Sequence, residues 1–203
     1  MTIAEKDLPI KMSRANLEGV PEFALPAGYS LRWYQPGDEA YWLCIHLATD
    51  RYNKIDPALF ERQFGVAQER GLQSASASEG RSGMNSALRD LGERQCYLLA
   101  STGSAIGTGT AWFTDDFEGC RWGRVHWMAI IPEFQGRGLA KSLMTAICRR
   151  LRELGHDRAY LSTSTARHAA IGLYLKFGFE PLIRSEEEAA LWREVLPSVV
   201  RKA

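Results

Sequence analysis

The sequence predicts a mixed α/β domain in which an antiparallel meander runs into a β-α-β unit. Three observations carry the prediction. Apolar stretches with strand character cover Cys96–Ser101, Ala105–Thr114 and Trp122–Ile131, and only short turns, Thr102-Gly103-Ser104 and Asp115 to Gly119, separate them. Leu139, Leu143, Ile147 and Leu151 then follow at four-residue spacing with Gly155 as a stop, the pattern of an amphipathic helix. Last, Arg158–Thr163 reads as a strand, Arg167–Phe177 as a helix closed by Gly178, and Phe179–Ile183 as a final core strand.

Upstream, residues 1–28 form a mixed arm with Pro9, Pro21 and Pro26, expected to lie on the domain as an extended or irregular segment. Tyr29–Trp33 alternates as a strand and Pro36-Gly37-Asp38 ends it. Asp38 is placed to cap a helix through Thr49, with Trp42, Ile45 and His46 on its buried face. Pro57 suits the first turn of a second helix, on which Phe60 and Phe64 lie four apart. The Ser/Ala/Gly-rich stretch inside 71–93 lacks the apolar content to pack and reads as a loop, either a surface insertion or a lid. Ser185 with Glu188 three residues on forms a capping box that opens a terminal helix. The expected organisation is therefore an arm (1–28), one domain (29–184) and a helical tail (185–203).

Bulk properties narrow the function classes. A chain of 203 residues with 45% hydrophobic and 24% charged residues suits one ordinary globular core. A net charge of +1 offers no electrostatic case for nucleic acid or an anionic membrane as partner. Arg149, Arg150 and Arg152 sit near a helix end, where cations suit the dipole. Cys44, Cys96, Cys120 and Cys148 form no C-x-x-C pair and read as buried free thiols within or beside helices and strands. With only four His, no metal site is expected. No apolar run reaches membrane-spanning length and no secretory leader is legible, so the expected home is cytoplasmic, as a monomer or homodimer.

The most informative segment is V-H-W-M-A-I-I-P-E-F-Q-G-R-G-L-A-K-S, from Val125 to Ser142. A strand enters a glycine-rich turn and then a helix, so free N–H groups gather at the positive end of a helix dipole and invite a phosphate. Two nucleotide motifs are excluded. A P-loop requires Gly before Lys-Ser/Thr, but Ala140 precedes Lys141-Ser142, and the earlier glycine is missing as well. A G-x-G-x-x-G turn fails because Lys141 follows Gly136 and Gly138, and the next strand ends without an acid for a ribose.

Gln135-Gly136-Arg137-Gly138-Leu139-Ala140 does match Q/R-x-x-G-x-G/A, and Leu173-Tyr174-Leu175-Lys176-Phe177-Gly178-Phe179 matches L-Y-x-K-x-G-F about 40 residues later. In this pair of motifs the chain resembles the GNAT superfamily of N-acetyltransferases, over roughly Tyr29 to Ile183. The resemblance implies a GNAT-like fold, a central, mostly antiparallel twisted sheet flanked by helices, with the family's fourth and fifth strands splayed around CoA. It also implies acetyl-CoA as cosubstrate. One departure stands out: seven residues before the helix tyrosine, where the family commonly carries an Asn that contacts the pantetheine arm, this chain has Arg167. The contact is either lost or supplied by Ser164 or Thr165.

From the same resemblance, the peptide groups of Met128, Ala129 and Ile130 serve the cofactor, and one of their N–H groups polarises the thioester carbonyl. Amides of Gln135, Gly136, Arg137, Gly138, Leu139 and Ala140 hold the pyrophosphate, with charge added by Arg137 and Lys141. An alkylamine is mostly ammonium at pH 7, so direct transfer needs a base; the departing thiolate gains from an acid. Tyr174 matches the family's acid. His126 falls where arylalkylamine N-acetyltransferases place a histidine base, and it shares strand parity with Met128 and Ile130, so all three side chains are expected on one face. Asp115, Asp116 and Glu118 are reserve acids. Trp112, Trp122 and Trp127 crowd the same region, with Trp122 in parity with His126. The expected activity is acetyl transfer to a primary amine of a small molecule or peptide by direct attack in a ternary complex. The alternatives are a silent acyl-CoA-binding regulatory module, another acyl group, or a protein amine.

Overall fold

A computed structural model describes residues 7–64 and 90–200. Most of the 71–93 segment, read above as an insertion or lid, lies outside those residues. Seven strands, β1 (Pro9–Arg14), β2 (Tyr29–Trp33), β3 (Gln95–Ala100), β4 (Ala105–Phe117), β5 (Cys120–Ile130), β6 (Ala159–Ser164) and β7 (Glu180–Pro181), hydrogen-bond in the order β2-β3-β4-β5-β6-β1-β7. The helices are α1 (Glu39–Thr49), α2 (Pro57–Phe64), α3 (Leu139–Glu153), α4 (His168–Lys176) and α5 (Glu186–Val200). A 3₁₀ turn, Pro132–Phe134, precedes α3. The β1–β6, β1–β7, β2–β3 and β3–β4 pairings are antiparallel, and β5–β6 is parallel. The mixed α/β class and the mostly antiparallel sheet are as the sequence predicts.

The chain divides into two compact units, and β4, β5 and α3 pass from one to the other. One comprises Met1–Phe23, Ala111–His126 and Cys148–Ala203; the second comprises Ala24–Thr110 and Trp127–Ile147. In the first, the arm is a working strand: β1 pairs with β6 over all six residues, Pro9↔Ser164 to Arg14↔Ala159. Ile10 and Met12 alternate into the core with Leu161, Ile171, Phe177, Phe179 and Trp192. The final strand is only Glu180–Pro181, and one further bond to β1 follows it, from the Leu182 N–H to the Lys11 carbonyl at 3.0 Å. In the second unit, Trp42, Ile45, Phe60, Phe64, Leu98, Ile106, Leu143 and Ile147 make the core.

Several local expectations change for identifiable reasons. The turn expected over Asp115 to Gly119 shrinks to Glu118-Gly119, with φ of 55° and 77°. That is the left-handed pair a two-residue hairpin of native twist requires, so β4 extends to Phe117. Asp38 stands at the N-cap of α1 but makes no side-chain cap bond. Its carboxylate instead takes Arg32 in a two-pronged pair at 2.5 and 2.8 Å, plus the Gln35 N–H at 2.7 Å. Asp56 is the effective cap of α2, accepting from the Leu59 N–H at 2.8 Å. At α5, Ser185 Oγ accepts the Glu188 N–H at 3.2 Å, but the Glu188 carboxylate reaches the Arg184 N–H rather than that of Ser185. All four cysteines are free; Cys96 and Cys148 are buried while Cys44 and Cys120 are exposed.

Candidate active site

In the second unit, β5 delivers its C-terminal half to the glycine turn. Gln135 folds its side chain back, donating from Nε2 to the Ile130 carbonyl at 2.7 Å, and its own N–H donates to Pro132 at 3.1 Å. Gln135 therefore shapes the turn, and its amide is not one of the free donors. Gly136 and Gly138 both take positive φ, 75° and 80°, where any side chain is strained, and a Cβ at either would meet nothing within 4 Å. The glycines are demanded by backbone conformation, and the space above them is open. The Lys141 N–H turns inward to Gly138 at 3.0 Å, whereas the amides of Gly136, Arg137, Gly138, Leu139 and Ala140 make no hydrogen bond among the described residues. Five uncommitted donors thus gather at the start of a fifteen-residue helix, an arrangement able to receive an anion. Arg137 is exposed, with its guanidinium held by the Glu133 carbonyl (2.9 Å), the Tyr29 hydroxyl (3.3 Å) and the Phe134 ring beneath it. Leu139 is buried and anchors the helix start.

The strand before the turn carries an irregularity that alternation could not foresee. Trp127 has φ of 45° inside β5, a left-handed conformation rare outside glycine and costing about 1–3 kcal/mol. Its side chain offsets that cost. The ring packs 5.0 Å from Trp42 and 4.9 Å from His46, and Nε1 donates to Gln63 at 3.0 Å. The break in the strand removes the parity argument that grouped His126 with Met128 and Ile130. Before the break the alternation is regular, and Trp122, Arg124 and His126 share one face. The parallel ladder to β6 covers only Gly123↔Ala159, Arg124↔Tyr160 and Val125↔Leu161. His126 to Ile130 continue beyond it.

In the first unit, His126 is 6% exposed. Tyr174 lies on the inner side of α4, tilted against Phe179 at 6.4 Å. Burial pushes its phenol above the ordinary value, and the charge of Arg167 pulls the other way. The phenol therefore keeps its proton at neutral pH. Arg167 caps the start of α4 through its backbone, donating to Ser164 and accepting from Ile171. Of its two neighbours, Thr165 is committed, exchanging bonds with both backbone groups of Leu8 at 3.0 and 3.1 Å. The Ser164 hydroxyl is buried without a hydrogen-bond partner among the described residues. Of the reserve acids, Asp115 pairs with Arg121 and Glu118 with Arg184 at the surface. No cluster of three potential metal ligands exists among the described residues, and no described helix is long and apolar enough to cross a membrane.

The fold thus combines a mostly antiparallel sheet with a glycine turn that opens the helix after β5. Residues 58–179 match the Acetyltransferase (GNAT) family, and the chain belongs to it. A mycothiol acetyltransferase of Pseudarthrobacter chlorophenolicus is 28% identical over 183 residues, covering 88% of this chain and 47% of that protein. The mycothiol acetyltransferase of Streptomyces coelicolor is 30% identical over 173 residues, covering 84% and 49%. The chain thus spans about half the length of the curated relatives it matches. Among solved structures, a GNAT-family acetyltransferase from Colwellia psychrerythraea superposes with a TM-score of 0.58 at 12% identity, over 87% of this chain and 53% of that one, a likeness of fold.

Proposed function

We propose that the chain is an acetyl-CoA-dependent N-acetyltransferase that transfers the acetyl group to a primary amine by direct attack in a ternary complex. The observation that carries the reading is the run of five uncommitted amides from Gly136 to Ala140, with open space over both glycines. Such a cradle suits the diphosphate of CoA. Acetyl-CoA supplies an acyl group activated as a thioester. The peptide groups of Met128, Ala129 and Ile130 lie past the end of the β5–β6 ladder, which suits them to bond a pantetheine arm and to set an N–H on the thioester oxygen. Ser164, with its hydroxyl uncommitted, takes over the contact that Arg167 cannot make as Asn would.

His126 accepts the ammonium proton of the acceptor, directly or through water. The neutral nitrogen then attacks the thioester carbon and a C–N bond forms; as the tetrahedral intermediate collapses the C–S bond breaks and the nitrogen gives up its second proton to solvent. The sulfur leaves with the electron pair and takes the proton of the Tyr174 hydroxyl. The positive charge of Arg167 favours the phenolate left behind, which is reprotonated from solvent. Lys141 and Arg137 add positive charge beside the diphosphate.

The test is a panel of amines and peptides incubated with acetyl-CoA, read by thiol release and by the mass of the acceptor. The relatives are named for mycothiol, so an amine precursor of that thiol belongs in the panel. Acetylation of any amine establishes the class. CoA binding with no turnover across the panel would replace this reading with a silent acyl-CoA-binding module.

A further inference from the structure

One face of β5 in the first unit carries donors with nothing to donate to. Trp122 and Arg124 lie two residues apart on that face, and both the indole Nε1 and the guanidinium Nε are buried without a hydrogen-bond partner. The opposite face is closed: a Cβ on Gly123 would meet Leu151 of α3 at 3.0 Å. Arg124 is in register with Tyr160 on β6, and its guanidinium carbon lies 5.6 Å from that ring. Phe117 stacks on Tyr160 at 3.7 Å and 7°, and the Tyr160 hydroxyl is 2.6 Å from Thr114 Oγ1. Two further cations border this stack, with Lys11 Nζ 5.7 Å and the Arg184 guanidinium 5.3 Å from the Phe117 ring.

The charge balance on this surface is uneven. Arg184 is paired with Glu118, and Arg158, beside Trp122, is paired with Asp157. Glu180 lies across β1, in register with Ser13. Lys11 and Arg124 pair with no carboxylate among the described residues. A guanidinium taken partly out of water with no counter-charge is among the costliest groups a protein can bury. Both uncommitted atoms are donors, and neither side chain has an acceptor, so a ligand that completes the set must bring oxygen lone pairs.

We infer that Arg124, with Trp122 and Lys11, forms an oxyanion-binding subsite for a carboxylate or phosphate group carried by the acceptor amine. The assignment of the anion to the acceptor rests on the transferase reading, because His126, the base of that reading, is the next residue on the same strand face. Two residues of strand separate Arg124 from His126 by roughly 6–7 Å. The preferred acceptor is therefore a small amine whose acidic group lies a few bonds from its nitrogen.

Matched acceptors test this: 4-aminobutyrate against 4-aminobutanamide, and phosphoethanolamine against ethanolamine, each with acetyl-CoA. The expected result is a kcat/KM at least about tenfold higher for the acidic member of a pair, from the added charge-assisted bonds. Arg124→Gln should bring that ratio near one, while Arg124→Lys retains part of it. A second arm keeps the full chain saturated with CoA and titrates 4-aminobutyrate and inorganic phosphate separately, following tryptophan fluorescence. Arg124-dependent binding of 4-aminobutyrate supports the subsite even if no amine is acetylated, an outcome that would overturn only the transferase reading. Equal rates for acidic and neutral amines would overturn the inference, as would a preference that survives in Arg124→Gln. So would Arg124-dependent binding of phosphate alone.

Discussion

Replacing Gly138 separates the energetics of the turn from those of its ligand. At φ of 80° with nothing within 4 Å of a built Cβ, alanine adds no clash in the free protein and only the left-handed penalty, about 1–2 kcal/mol. For a chain of this size that lowers Tm by about 2–8 °C. Gly155, at φ of 82° beyond the end of α3, is equally open, so Gly155→Ala is a matched control with the same strain and no anion cradle. CoA at a hundred times its Kd should raise the Tm of the parent protein by the equivalent of about 2.7 kcal/mol. Gly155→Ala should keep that rise. Gly138→Glu should lose it, since a carboxylate near a diphosphate costs about 1–4 kcal/mol from charge alone at surface-like dielectric, before any bulk. Differential scanning fluorimetry with and without CoA, backed by calorimetric titration, reads both quantities. If folded Gly138→Glu gains as much from CoA as Gly155→Ala, the cradle at the start of α3 does not hold the diphosphate.

Other expectations concern the groups around the chemistry and the core. Tyr174→Phe should lower kcat by about 10²–10⁴ with CoA affinity little changed. Because burial raises the phenol, the parent should lose kcat with rising pH only above the ordinary tyrosine value of 10.0, and rates across that range decide it. Ser164→Ala should raise KM for acetyl-CoA severalfold, equivalent to one hydrogen bond of about 0.5–1.5 kcal/mol, while leaving Tm within a degree or two. Asp38→Asn should cost about 1.5–3 kcal/mol at neutral pH by breaking the Arg32 pair. Burial opposes ionisation of Asp38, but the bonds from Arg32 and Gln35 prevail and hold its carboxyl below the ordinary 3.8. Its contribution is therefore full above that value and is lost as pH falls through the lower folded value, so denaturant curves of parent and variant should converge in acid.

The elements with strong periodicity were legible because period reports burial. The four-residue spacing from Leu139 to Leu151 became α3, with all four residues buried. The pairing of the glycine turn with the Leu173–Phe179 motif pointed to the family, to which residues 58–179 match, because two motifs in a fixed order are far more specific than either alone. What stayed hidden depends on tertiary compensation. Nothing local marks Trp127 for left-handed backbone; the contacts that hold it come from Trp42, His46 and Gln63, distant in sequence. Asp38 is a good cap by composition, and only the register of β2 brings Arg32 close enough to claim its carboxylate. A single arginine between Gly123 and Val125 in an apolar strand is a usable signal, but the unpartnered Nε that makes it stand out depends on tertiary packing, which a sequence cannot display.

The left-handed residue in β5 also has a consequence for how this chain can change. Residues 122–126 and 128–130 sit on opposite sides of a break whose position is fixed by an indole wedged among the aromatics of α1 and α2. Substitutions at 122 or 124 can therefore accumulate without shifting the alternation of the peptide groups at 128–130. By the same wedge, a change in the packing of Phe60 or Phe64 around Trp42 reaches the β5 backbone without touching any reacting atom. Variation in acceptor preference should collect on the N-terminal stretch of the strand, and variation in activity from remote sites should trace back to the aromatic cluster.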